Sequence, residues 1–126
     1  MSGPRTPLLI DCDTGIDDAL ALLYVCASMD AEVVGVSCVA GNVELPSVVR
    51  NTLAVLELAG RSELEVAAGR DAPIARPLRT AGDTHGPTGL GYAALPAPAA
   101  VTGPRDAADM MIDLARARPG ELTLVT

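Results

Sequence analysis

Short apolar segments alternate with segments of helical periodicity along most of this chain, and this order constrains the fold more than any other feature. Such alternation predicts a parallel sheet whose strands are joined by helical crossovers. The predicted elements are the strand Leu8–Cys12, the helix Asp17–Ser28, the strand Glu32–Ala40, the helix Pro46–Gly60, the strand Glu65–Ala68, the helix Arg105–Arg118 and the strand Glu121–Thr126. We therefore expect an α/β fold with a Rossmann-like open, mainly parallel sheet and flanking helices.

The length of the chain limits it to one domain. Its 126 residues, of which 49% are hydrophobic, can form one core but are too few for two ordinary domains, so we expect a single domain over residues 1–126. Residues 69–103 are rich in Pro, Gly and Ala and show no periodicity. Loops of this length form lids or binding loops, or are disordered, and we predict a long loop here.

Four carboxylates lie within eight residues between the first strand and the first helix, at Asp11, Asp13, Asp17 and Asp18. Two like charges about 4 Å apart repel by roughly 1 kcal/mol in water and by about 4 kcal/mol at an effective dielectric constant near 20. A divalent cation is the simplest compensation. A solvated acidic turn that caps the helix is the structural alternative, but it would account for Asp17 or Asp18 alone.

The position of the acidic run also favours a ligand site, because open parallel sheets bind ligands at the carboxyl ends of their strands. Residues two apart on a strand share a face, so Asp11 and Asp13 are predicted to point the same way and Cys12 to pack on the opposite face. Carboxylate oxygens without a nearby His or Cys pattern suit calcium or magnesium better than zinc. Asp13 and a bidentate Asp18 would supply about three of the six to eight oxygens that calcium takes.

The acidic run resembles the N-terminal signature of the inosine/uridine-preferring nucleoside hydrolases, which is Asp-x-Asp-x-Gly-x-Asp-Asp directly after the first strand. Further segments resemble later elements of that family in the same order, and they are Ala40-Gly41-Asn42, Arg50-Asn51 and His85–Gly91. The first motif is highly specific, whereas the other segments alone would be weak. Together they cover nearly the whole chain, and the resemblance implies the N-terminal part of the nucleoside hydrolase fold.

The resemblance implies calcium-dependent hydrolysis of the N-glycosidic bond of ribonucleosides to ribose and free base, by a metal-activated water. Asp13 and Asp18 would hold Ca²⁺, with Asp13 also acting as the general base. Asp17 and Asn42 would bind ribose hydroxyls, and Asp11 would support the cluster. The residue types suit this chemistry, because glycosidic cleavage passes through an oxocarbenium-like transition state that nearby carboxylates stabilise.

Several residues allow both a functional and a structural interpretation. His85 is the only histidine, and the resemblance implies a mobile segment near the substrate, where His85 would contact substrate or take part in closure. It is equally compatible with an exposed loop histidine that has no role. Asn42 could be a turn residue. We expect Arg50 and Asn51 to be helix-surface groups, or groups that support the site without taking part in the chemistry.

Members of the resembled family are considerably longer than this chain, so we expect half of the usual site to be absent. The chain is then either a fragment or a short homologue. The main alternative function is a catalytically incomplete calcium- or ribose-binding fragment or a self-associating module. A minor alternative is a haloacid-dehalogenase-like phosphatase, which also has Asp-x-Asp after its first strand but does not predict Asp17-Asp18. Preference between purine and pyrimidine nucleosides stays open.

Composition limits the partners and the compartment. The net charge is −7 and the nine basic residues are scattered arginines, which argues against nucleic acid or an anionic membrane as a partner and leaves a small-molecule ribonucleoside substrate. Cys12, Cys26 and Cys38 lack metal-type spacing and are predicted to be buried free thiols, which fits the reducing cytoplasm. No apolar run approaches the roughly 20 residues of a membrane span. The resemblance and an expected exposed edge at residues 121–126 predict a homo-oligomer.

Overall fold

The computed structural model describes residues 3–126 and contains four strands and four helices in that range. In chain order they are β1 Thr6–Cys12, α1 Ile16–Ala27, β2 Ala31–Cys38, α2 Leu45–Leu58, β3 Val66–Ala68, α3 Gly82–His85, α4 Ala107–Ala117 and β4 Thr123–Val125. The strands form one sheet in the order β3-β2-β1-β4, and each neighbouring pair is parallel. The predicted α/β fold with an open parallel sheet is confirmed.

Helices cover both faces of this sheet. Helices α1 and α2 lie on one face, where Leu22 and Val48 pack with Ile10 and Cys12 of β1. Helix α4 lies on the other face, where Met110 packs with Leu9. Because β1 is buried from both sides, its sequence is a continuous apolar run instead of an alternating one. Strand β1 therefore packs against α1 and α2 on one face and against α4 on the other.

The helix ends show why these segments fold locally as they do. Asp106 is the N-cap of α4, since its Oδ1 accepts the Asp109 backbone N–H at 2.9 Å. Pro46 lies in the first turn of α2, where its missing N–H is not needed. Gly60 follows this helix with a φ of 72°, a left-handed conformation that glycine adopts without strain.

The predicted boundaries differ from the structure by one or two residues at most ends. The first helix begins at Ile16 instead of Asp17, and the last strand is only the three residues Thr123–Val125. The predicted loop at 69–103 contains one helix, the four-residue α3. Strand β4 lies at an edge of the sheet with Leu124 and Val125 exposed. No helix within residues 3–126 has both the length and the apolar character needed to cross a bilayer.

Candidate functional site

The acidic run turns sharply between β1 and α1, and Gly15 permits this turn. Gly15 is the N-cap of α1, and its carbonyl accepts the Ala19 N–H at 3.0 Å. A Cβ at this position would come within 2.7 Å of the Asn42 amide nitrogen and would also collide with His85. Glycine is therefore required because two side chains approach its backbone closely. The turn brings the acidic run, Asn42 and His85 to one place.

Asp13 is held by the chain that follows β2. Its Oδ2 accepts the Asn42 backbone N–H at 2.9 Å, and the Asn42 side-chain amide donates to the Asp13 carbonyl at 3.2 Å. Gly41 leaves room for this carboxylate, since a Cβ there would overlap Asp13. The side-chain oxygen of Asn42 and its second amide hydrogen stay available to a ligand. Asn42 thus fixes Asp13 from both its backbone and its side chain.

Asp18 lies close to Asp13, whose carboxyl group affects its ionisation. The pKa of Asp18 is raised from 3.8 to about 6, first by burial, then by the hydrogen bond and the negative charge of Asp13, with a smaller effect from Asp17. Two carboxylates that meet in a half-buried position cannot both ionise without cost. A cation or a shared proton must compensate them.

The four acids do not form one group. Asp11 accepts a 2.5 Å hydrogen bond from the Ser37 hydroxyl and lines a cavity of about 420 Å³ beside α4, together with Arg70 and Asp106. Among residues 3–126, no cluster of three or more Asp, Glu, His or Cys side chains is close enough to hold one metal ion. Strand alternation predicted a common direction for Asp11 and Asp13, but β1 ends at Cys12, so alternation does not extend to Asp13 and the two side chains have different partners.

His85 reaches the beginning of α1. Its Nδ1 accepts the Ile16 backbone N–H at 3.1 Å and lies 3.9 Å from Asp17 Oδ1. The imidazole is only 13% exposed, whereas the Asp17 carboxylate is 78% exposed. The description of His85 as an exposed loop histidine is therefore wrong, because α3 carries the side chain against α1. Asp17 remains open to an incoming ligand.

A buried network of hydroxyl and thiol groups supports the turn on the side that faces α2. Thr52 Oγ1 donates to the Val48 carbonyl at 2.8 Å, so it accepts from the Thr14 hydroxyl at 2.7 Å and from the Cys38 thiol at 3.3 Å. The Cys12 thiol is buried on the face of β1 opposite to Asp11, as predicted, and lies 3.2 Å from Thr14 Oγ1. Its hydrogen bond with Cys38 and its burial raise the pKa of the Cys12 thiol, which therefore stays protonated.

The sequence predicted a supporting role in α2 for Asn51, as one of two alternatives, and did not identify Thr52. Asn51 was expected to lie on the helix surface or near the site, and it is buried with its side-chain amide bonded to the Thr14 carbonyl at 3.3 Å. Asn51 and Thr52 follow Val48 at the spacing of one helix face and precede Val55 on that face. Two polar residues on an apolar face were the signal that could have found them, because buried polar groups need partners. Arg50, in contrast, is exposed.

Comparison with known proteins identifies the family of this chain. The family model described as inosine-uridine preferring nucleoside hydrolase matches residues 8–126. The chain belongs to the nucleoside hydrolase family. It is 39% identical over 119 residues to a pyrimidine-specific ribonucleoside hydrolase, RihA, of Photobacterium profundum, covering 94% of this chain and 38% of that protein. It is 38% identical over 120 residues to the inosine-uridine preferring nucleoside hydrolase of Crithidia fasciculata, with the same two coverages.

Solved nucleoside hydrolases have the same fold. A purine-preferring ribonucleoside hydrolase from Gardnerella vaginalis superposes with a TM-score of 0.88 at 30% identity, over 94% of this chain and 39% of that one. This chain thus spans less than two fifths of the length of the relatives that it matches. Relatives described as pyrimidine-specific and as purine-preferring both match, so the comparisons do not distinguish the base preference.

Proposed function

We propose that this chain takes part in calcium-dependent hydrolysis of ribonucleosides to ribose and free base. The observation that carries the proposal is the pairing of Asp13 with Asp18 at the carboxyl end of β1, in a member of the nucleoside hydrolase family. The pair offers hard carboxylate oxygens whose mutual repulsion a divalent cation would relieve. Asp13 and Asp18 would hold Ca²⁺, which when bound supplies positive charge and lowers the pKa of nearby water.

The chain's own residues have defined tasks in this reaction. Asp13 accepts a proton from the attacking water as the water oxygen bonds to the anomeric carbon, while the bond from that carbon to the base nitrogen breaks and its electron pair leaves with the base. The exposed Asp17 carboxylate accepts hydrogen bonds from the ribose hydroxyls. The Asn42 side-chain amide, which keeps free hydrogen-bonding capacity, can donate to these hydroxyls or accept from them. His85 lies beside Asp17 and contacts the substrate, and Asp11 supports the site from β1 through its hydrogen bond with Ser37 of β2.

A second candidate is a catalytically incomplete calcium- or ribose-binding module, and one observation favours it. Only two carboxylates meet in residues 3–126, with no cluster of three metal-binding side chains, while calcium takes six to eight oxygens. The remaining oxygens would come from backbone, water, substrate or further protein. The phosphatase alternative is set aside because the family model that matches is a nucleoside hydrolase.

The cellular setting is also part of the proposal. Buried free thiols at Cys12 and Cys38 suit a reducing, cytoplasmic compartment.

A homo-oligomer would cover the apolar side chains that α1 exposes at Leu20 and Tyr24 and that β4 exposes at Leu124. The partner of the site would be a small ribonucleoside, since the charge of −7 disfavours nucleic acid.

Ribose release from inosine and from uridine tests this function. The purified 126-residue protein is assayed with calcium and then with chelator, beside the variant Asp13→Ala and the matched control Asp71→Asn, which changes an exposed loop acid. Release that chelator and Asp13→Ala abolish, but Asp71→Asn does not, supports hydrolysis. No release with retained calcium binding supports the incomplete module and contradicts hydrolysis by this chain alone.

A further inference from the structure

Asn51 on α2 joins two segments that lie far apart in the chain. Its side chain is buried, with the residue 6% exposed, and its Nδ2 donates to the Thr14 carbonyl at 3.3 Å and to the Thr88 carbonyl at 2.8 Å. Thr14 belongs to the acidic turn, and Thr88 belongs to the loop that follows α3. The two amide hydrogens are thus both used, one on each segment.

The loop lies directly on this amide. Gly89 has a φ of 91°, and a Cβ there would come 2.8 Å from Asn51 Nδ2 and 3.1 Å from Val43 Cγ2. Neither the conformation nor the space admits another residue without a shift. The loop backbone is therefore held against the amide as well as bonded to it.

The same loop is closed on itself, so a bond at Thr88 also fixes His85. The Gly91 N–H donates to the His85 carbonyl at 2.8 Å, and the Gly89 N–H donates to the Gly86 carbonyl at 3.3 Å. One end of this compact segment carries the imidazole that accepts the Ile16 N–H. Anchoring at Thr88 thus restricts the position of His85 beside Asp17.

The Asp13 side of the site has separate support. Its carboxylate is held by the Asn42 backbone N–H, and the Ala81 N–H donates to the Asn42 backbone carbonyl at 2.9 Å. None of these bonds involves Asn51. The Ala81 bond also fixes the start of α3, so a loss of the Asn51 amide should release the other end of this segment, residues 85–91, and leave the Asp13–Asp18 pair in place.

We propose that Asn51 is a positioning residue that holds His85 at the first turn of α1 by tying the 85–91 loop to the acidic turn. The role in substrate binding rests on the proposed function, whereas the tie itself does not. Asn51 contributes no group to the reacting atoms, and it acts through the loop.

NMR of His85 tests the tie without substrate or metal, because this is the only histidine in the chain and its ring signals are unambiguous. In the wild type, the ring nitrogen signals should report one tautomer with the proton on Nε2, since Nδ1 accepts the Ile16 N–H. In Asn51→Leu, which keeps the volume but removes both donors, the signals should become those of a tautomer-averaged exposed imidazole. Arg50→Ala, on the adjacent exposed position, should match the wild type.

Hydrogen exchange distinguishes a local loss of the Asn51 hydrogen bonds from a general loss of stability. In Asn51→Leu we expect amide protection in residues 86–91 to fall about tenfold, the effect of losing one buried hydrogen bond, while β1 and β2 keep theirs. An unchanged His85 signal, or an equal loss of protection in loop and core, would overturn the proposal. If Asn51→Leu does not fold, Gly89→Ala is used to test the proposal instead. Its Cβ displaces the loop from the Asn51 amide, so His85 must be released in the same way.

Calcium titration of the same variants keeps the two proposals apart. Asn51→Leu should leave the calcium affinity within about twofold of the wild type, because the Asp13–Asp18 pair is held by other bonds. A large loss of calcium affinity would contradict a role confined to the loop. Absence of any hydrolysis would remove the proposed function but would not alter the His85 result.

Discussion

Replacement of Asp18 by asparagine should stabilise this protein when no cation is present. Asp18 is half-buried, and its pKa is raised from 3.8 to about 6 by that burial and then by the hydrogen bond and charge of Asp13. At neutral pH the folded state must therefore hold an ionised carboxylate in an unfavourable position. The side-chain amide introduced by Asp18→Asn keeps the shape of the carboxyl group and removes its charge.

The magnitude follows from the size of the pKa change. A rise of about two units corresponds to roughly 3 kcal/mol at most, and solvent screening of this partly exposed group reduces the expected gain to about 1–2 kcal/mol. The folded-state pKa lies above the unfolded one, so the protonated carboxyl favours the fold at low pH. That contribution is complete below pH 3.8 and is lost as the pH rises through about 6.

Urea unfolding followed by circular dichroism at about pH 7.5 with chelator measures this effect. For Asp18→Asn we expect the midpoint to rise by about 0.5–1 M, given a slope near 2 kcal/mol per molar. The advantage over the wild type should shrink as the pH falls towards about 4, where the wild-type carboxyl becomes protonated. Calcium should reverse the order, because it stabilises only the protein that keeps both carboxylates. The exposed control Asp71→Asn should behave as the wild type. If Asp18→Asn is equally or less stable than the wild type in chelator at neutral pH, this account of the pair is refuted.

Three further predictions concern the same site and the exposed surfaces. Asp13→Ala should abolish the calcium-dependent rise in melting temperature, and an unchanged rise would exclude Asp13 as a ligand. Gly41→Ala should weaken calcium binding in calorimetry by about tenfold, because the added Cβ overlaps the Asp13 carboxylate. The control Gly82→Ala should not change the affinity, because a Cβ at Gly82 has no other atom within 4 Å. Equal affinities of the two variants would show that Asp13 moves without cost. Light scattering should give a mass above the 12.8 kDa of one chain, because apolar residues such as Leu124 are exposed, and a monodisperse monomer would contradict self-association.

The order of the elements and the place of the acidic turn after β1 could be predicted from the sequence. Periodicity identified all four strands and the three long helices, because β1 and the helix faces bury large apolar side chains at regular spacing. The ends were displaced by a few residues, as caps and fraying make them hard to assign. Gly15 marked the turn, because it follows the first strand and directly precedes a helix whose first turn carries Asp17 and Asp18.

The side-chain arrangement could not be predicted as well. Strand alternation fails at Asp13 because the chain leaves the sheet after Cys12, and nothing in the sequence fixes that point. The loop at 69–103 lacks periodicity, so the placement of His85 by α3 was not foreseen. Asn51 was predicted to be a helix-surface or supporting group, but its two partner carbonyls depend on tertiary packing and could not be predicted.

Carbon-detected NMR of the aspartate side-chain carboxyl groups during a calcium titration tests the central claim most directly. The acidic turn is proposed to hold Ca²⁺ through Asp13 and Asp18, so their carboxyl carbon signals should shift together in one saturable step. The signal of Asp71, an exposed loop acid, should not move in that step. Saturable shifts confined to other acids, or no saturable shift at Asp13 and Asp18, would contradict the assignment of this site.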